Sequence, residues 1–173
     1  MKRLLLAIIM SASHMTVFAQ SHKTDLAKLQ FDEAPATILQ GITGIQEGKL
    51  YDLSNMISYG IDNKGGILFD RYTPPHIELL AFNAKVAGFA FRIMSYAAQQ
   101  EIKIYLKDHY ALQLADSSRW GKQYAYKDSQ VIINFQTVAE ADFKQGRNGY
   151  LDIKTSGLSK AIAIQEERTK KAH

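Results

Sequence analysis

Cysteine is absent from the 173-residue chain, and that absence rules out every disulfide, lipid attachment at a signal-peptide cysteine and any cysteine-ligated zinc. No apolar run approaches the roughly 20 residues that a bilayer-crossing helix needs. A dense basic stripe interleaved with aromatics is missing too. The basic clusters are short, such as Lys170-Lys171, so nucleic acid is not an expected partner. No Pro-rich, Ser-rich or low-complexity linker divides the chain, and one domain with one core is the expectation.

What is present begins at the N-terminus. Lys2 and Arg3 precede an apolar run from Leu4 to Met10, and the segment closes at Val17-Phe18-Ala19, which is the pattern of a secretory signal peptide over residues 1–19. Small residues at Val17 and Ala19 place the cut before Gln20, so the folded object is residues 20–173, or 173 − 19 = 154 residues. A domain of that length buries on the order of 70% of its unfolded surface and stands without disulfides. The expected product is exported, periplasmic or extracellular, soluble and without a stable membrane anchor. The formal charge of +4 counts Lys2 and Arg3; without them 19 Lys and Arg face 17 Asp and Glu, a balance of +2.

Periodicity outlines the fold. After a short polar leader from Ser21 to Asp25, expected to be disordered, Leu26 to Phe31 alternates weakly as a short strand. Asp32 and Pro35 then start a helix whose face carries Ile38, Leu39, Ile42 and Ile45. Ile57 to Ile61 is expected to form a hairpin with Ile67 to Tyr72 across Asp62-Asn63-Lys64-Gly65-Gly66, ended by Pro74-Pro75. His76 to Phe82 and Val86 to Met94 pair around Asn83-Ala84-Lys85 and, being apolar on both faces, read as central strands. Tyr96 to Tyr110 is the best helix.

A tight Asp128-Ser129 turn then sets Tyr126 against Val131, Tyr124 against Ile133 and Lys122 against Phe135. Trp120 is expected on the same face as these aromatics. Tyr150 to Thr155 is the last strand, while the tail from Ser159 fits either a strand through Ile162 and Ile164 or a short helix. The result is an α+β fold, a curved antiparallel sheet built of hairpins with two main helices on one face. A twofold helix-plus-meander arrangement fits that order, although the halves share no residue-level similarity.

Chemistry is sparse. His22, His76, His109 and His173 show no metal-ligand spacing, and Asp62 to Gly66 carries too few acids for a calcium loop, so neither metal nor cofactor is expected. Ser54, Ser58, Ser95 and Ser156 lie in no nucleophile motif; Ser156 stands four residues before Lys160, one too many for S-x-x-K. His109 reads as structural, bonded to a backbone carbonyl. The densest mixed polar group is Asp70, Arg71, Tyr72, His76 and Glu78 around the Pro74-Pro75 corner, where a histidine beside carboxylates could act as a general base; the simpler reading is a strand-edge charge pair of Asp70 with Arg71, and His76 with Glu78 on a wetter sheet face. The Tyr124 and Tyr126 ladder is either a binding surface or the core under the Tyr96 to Tyr110 helix. A second contact candidate is the Ala139 to Gly149 loop, with Phe143, Lys144 and Arg147.

Three functional classes follow. The missing catalytic constellation and the aromatic sheet favour a non-catalytic exported module that binds or inhibits a protein or an envelope polymer. The alternatives are a carrier of a small apolar ligand or lipid, given strands apolar on both faces, and a hydrolase using His76 with Asp70 or Glu78.

Overall fold

A computed structural model describes residues 23–50 and 53–172; the expected signal peptide over residues 1–19, His22 and His173 lie outside them. In chain order the elements are β1 (Thr24–Asp25), α1 (Pro35–Ile38), β2 (Ile45–Gly48), β3 (Met56–Asp62), β4 (Ile67–Leu68), β5 (His76–Phe82) and β6 (Lys85–Ile93). The second half follows with α2 (Tyr96–His109), β7 (Gln113–Ser118), β8 (Gly121–Lys127), β9 (Val131–Thr137), α3 (Glu140–Phe143), β10 (Gly149–Thr155) and α4 (Ser156–Ala172). Eight strands form one antiparallel sheet in the order β2-β3-β5-β6-β10-β9-β8-β7, not closed into a barrel. Each helix α1 and α2 thus precedes a four-strand meander, and the meanders meet along their last strands, β6 and β10.

Strand alternation divides the side chains between two faces. Ile77, Leu79, Phe89, Phe91, Ile133, Phe135, Leu151 and Ile153 face α1 and α2, where Ile38, Ala98, Ile102 and Leu106 complete the main core. Ser95 caps α2 by accepting the Ala98 N–H at 3.2 Å. Gln99, almost fully buried, locks the helix to the second meander: it donates to the Val138 carbonyl and accepts the Val138 N–H, both at 2.9 Å. The opposite face is covered at one end by α4, whose Leu158 and Ile162 pack on Met56, Leu80 and Ala87. One α4 turn separates those two residues, so a single stripe makes the contact.

Several expectations are corrected. The leader does not stay free as far as Asp25: Thr24 and Asp25 pair in parallel with Ile67 and Leu68, and Leu26–Lys28 is a 3-10 turn rather than a strand. The first helix is one turn long, because Gly41 and Gly44 take φ of +76° and +75°, and Ile45 enters β2 instead. The Ile57–Tyr72 hairpin does not form. Asn63 holds the chain in an excursion, its side chain accepting from Gly65 and Ile67 N–H and donating to the Ile67 and Pro74 carbonyls, so β3 pairs with β5.

The β5–β6 hairpin turns through Asn83 and Ala84, both at positive φ. The β8–β9 register is two residues from the expected one, Tyr124 facing Phe135 and Tyr126 facing Ile133, because Asp128 Oδ1 accepts from both Gln130 and Val131 N–H and widens the turn. A shift of two keeps every side chain on its face. Strand β7, exposed along its whole length, has no counterpart in the sequence reading. The tail is the long helix α4, started by Thr155, whose hydroxyl accepts the Leu158 N–H, rather than by Ser159.

Candidate functional site

Beyond the reach of α4, the second face of the sheet stays open. Registers set its floor: Arg92 on β6 lies opposite Tyr150 on β10, which lies opposite Gln136 on β9. One rung along, Glu78, Ala90, Asp152 and Asn134 follow in the same way across β5, β6, β10 and β9. Two clefts meet over this floor and share Arg92 and Tyr150. One, about 720 Å³, is walled by Trp120, Arg147 and Asn148. The other, about 640 Å³, is walled by Ser58, Pro75, His76, Glu78 and Met94.

The charges are unevenly matched. Arg147 is held by Asp142 at 2.7 Å, and its guanidinium and that of Arg119 lie 3.9 and 4.1 Å from the Trp120 ring centre. None of the ion pairs among the described residues includes Arg92, which is solvent-exposed. Asp152 is 7% exposed; its Oδ2 accepts from Lys154 Nζ at 2.7 Å and Asn134 Nδ2 at 3.3 Å, while Oδ1 has no hydrogen bond. An incompletely satisfied buried carboxylate beneath an open cleft raises the local demand for a polar neighbour.

The expected Asp70 to Glu78 group is split by the sheet. Asp70, at φ 53°, gives its N–H to Asp25 Oδ1, and its charge helps burial raise the Tyr105 pKa on the α2 side. Tyr72 packs on Phe91 in the core, and its hydroxyl bridges the Arg92 carbonyl and the Met94 N–H. Burial raises its pKa. His76 and Glu78 reach the open face. His76 Nδ1 lies 3.2 Å from Asp62 Oδ1, both side chains mostly exposed, and Glu78 accepts the Ser58 hydroxyl at 2.8 Å. An exposed pair of this kind contributes little to stability.

Of the serines, Ser95 caps α2 and Ser156 bonds the Asp128 carbonyl; no hydrogen bond among the described residues joins a serine to a histidine. His109 bonds the Tyr105 carbonyl at 2.8 Å and stacks on the Tyr105 ring. No group of three or more histidine and acidic residues is placed to hold a metal ion among the described residues.

The aromatic ladder divides as well. Tyr124 and Tyr126 pack against the main core, and Lys103 stands 4.7 Å over the Tyr124 ring and lowers that tyrosine's pKa, chiefly through a side-chain hydrogen bond. Trp120 leaves the ladder: it sits in the β7–β8 turn, 45% exposed, beside Arg92 and Tyr150 in the larger cleft. In the Ala139–Gly149 loop, Phe143 meets Tyr96 edge to face, whereas Arg147 lines the cleft. Arg92, Tyr150 and Gln136 were not singled out by sequence. The available signal was one charged residue, Arg92, interrupting the apolar run from Val86 to Met94.

Comparison with protein-family models, curated proteins and solved structures finds no match to this chain.

Proposed function

We propose that this chain is an exported, non-catalytic binding module whose working surface is the open part of the second sheet face. The observation that carries the reading is the pair of confluent clefts over Arg92 and Tyr150, with an arginine in the floor that joins no ion pair among the described residues. A recognition site typically combines such a concave surface with a few convergent polar groups. Of the apolar positions on both sides of β6, which motivated a lipid carrier, Val86, Phe89, Phe91 and Ile93 pack in the main core and Ala87 packs against α4, whereas Ala90 and Met94 border the open cleft. The hydrolase reading paired His76 with Asp70 or Glu78, but His76 stands beside Asp62, Glu78 accepts from Ser58 and Asp70 bonds Asp25, which gives that reading less support.

The test is site-specific photo-crosslinking in the exporting cells. A benzophenone side chain replaces Gln136 in one variant and the exposed Ile104 on α2 in another. Discrete adducts from position 136 alone support the module; the same adducts from both positions, or none from either, refute it. The mass of the exported product, expected to start at Gln20, reads the export step separately.

A further inference from the structure

We propose that the occupant of the open face is a carboxylate-bearing polysaccharide, lying across the strands with a carboxylate between Arg92 and Arg147. The proposal rests on the binding-module reading and names the ligand class of that same site.

Charge is the first argument. Arg92 in the floor, with Arg147 and Arg119 against the Trp120 ring, brings three cations to one end of the second meander. Among the described residues, Asp142 is the carboxylate paired with any of them, through Arg147. These cations come from three separate segments, so the near-neutral composition conceals a local excess that attracts a polyanion. Glu78 and Asp62 lie at the other end of the floor, which orients an anionic group toward the arginines.

Geometry separates a polysaccharide from other polyanions. The floor runs perpendicular to the strands: from His76 on β5 to Gln136 on β9 it crosses three inter-strand gaps, or about 14 Å at the usual strand spacing. The backbone groups of these central strands are already used in the ladders, so an acidic peptide laid there has no main-chain pairing from which strand addition draws affinity. A single-stranded nucleic acid needs free aromatic faces, yet the Trp120 ring already carries two guanidiniums. The floor offers instead flat polar end groups, the Arg92 guanidinium and the Gln136 and Asn148 amides, beside the partly exposed Tyr150 ring. Such groups pair with adjacent hydroxyl and carboxylate oxygens, and the two stacked guanidiniums are pre-organised to do so.

Trp120 is the chain's one tryptophan and therefore an intrinsic reporter at the site. The experiment titrates the mature exported chain with a short oligogalacturonate, following Trp120 emission and the heat of binding. Saturable one-to-one binding is expected, weakening as salt rises. Arg92→Ala should reduce affinity about tenfold or more without changing the unfolding midpoint, because that guanidinium belongs to no ion pair among the described residues. Gln136→Ala gives an independent, smaller loss if the arginine variant proves hard to fold.

A neutral oligosaccharide of equal length, oligoglutamate and single-stranded DNA serve as comparators. No saturation with oligogalacturonate, equal or tighter binding of any comparator, or an unchanged affinity in both variants overturns the proposal. Adducts from the position-136 photo-probe alongside absent oligogalacturonate binding would reject the ligand class alone; absence of both would reject the module as well.

Discussion

The same strands build two unlike faces. On the side of α1 and α2, Phe91, Ile133, Phe135 and Leu151 are fully or almost fully buried; on the other side their chain neighbours Arg92, Asn134, Gln136 and Tyr150 remain partly or wholly accessible. A strand alternates its side chains, so each residue step changes face, and what differs is the cover. Two helices and the N-terminal segment close the first face, the Tyr105 hydroxyl tying down the Ala27 carbonyl at 3.1 Å. One helix covers only an end of the second. Stability is therefore concentrated on one face and the opportunity for recognition on the other.

The sharpest way to break this comparison is Phe89→Ala. Phe89 contacts the rings of Phe31, Phe69 and Phe91, and the cavity should cost about 3–5 kcal/mol in denaturant unfolding. Leu158→Ala, under α4, should cost less, about 2–3 kcal/mol, because its cluster is small and α4 can settle toward the sheet. It should also expose α4 to limited proteolysis before the rest of the domain. Equal losses from the two variants would mean that both faces share one cooperative core and that the division drawn here is wrong.

The smallest expected effect concerns pH. Asp128 has its pKa held below the ordinary 3.8, first by the Val131 N–H, then by the Gln130 N–H and the Tyr126 hydroxyl. A folded-state value below the unfolded one gives stability that is present above the unfolded value and lost as pH falls through the folded one. Unfolding midpoints measured across that acid range should decline less steeply in Asp128→Asn than in the parent chain. Identical acid limbs would show that the turn contributes nothing measurable.

Legibility in the sequence followed the range of the interactions. The β5–β6 hairpin and α2 were readable because their signals are local: two apolar runs around a short break in the one, an apolar stripe at helical spacing in the other. Face assignment of the Tyr124 and Phe135 ladder survived a wrong register, since the error was an even number of residues. The partner of β3 was misread because a single side chain, Asn63, makes four hydrogen bonds that turn a promising hairpin into a loop. Strand β7 carries no pattern at all; it is an edge held by main-chain pairing to β8. At the site, His76, Glu78 and Arg147 drew notice beforehand, but grouped with the wrong partners, because nothing in local spacing tells which loop ends above which strand.

By itself the sequence determined the α+β class and, along the strands it located, which residues share a face, both of which follow from side-chain periodicity. Tertiary structure alone decided the order of the strands, the docking of α4 on one end of the second face, and the gathering of Arg92, Arg119 and Arg147 around Trp120. Those outcomes depend on contacts between segments far apart in the chain, where the energy of packing and pairing acts on distance in space and leaves no local pattern along the sequence.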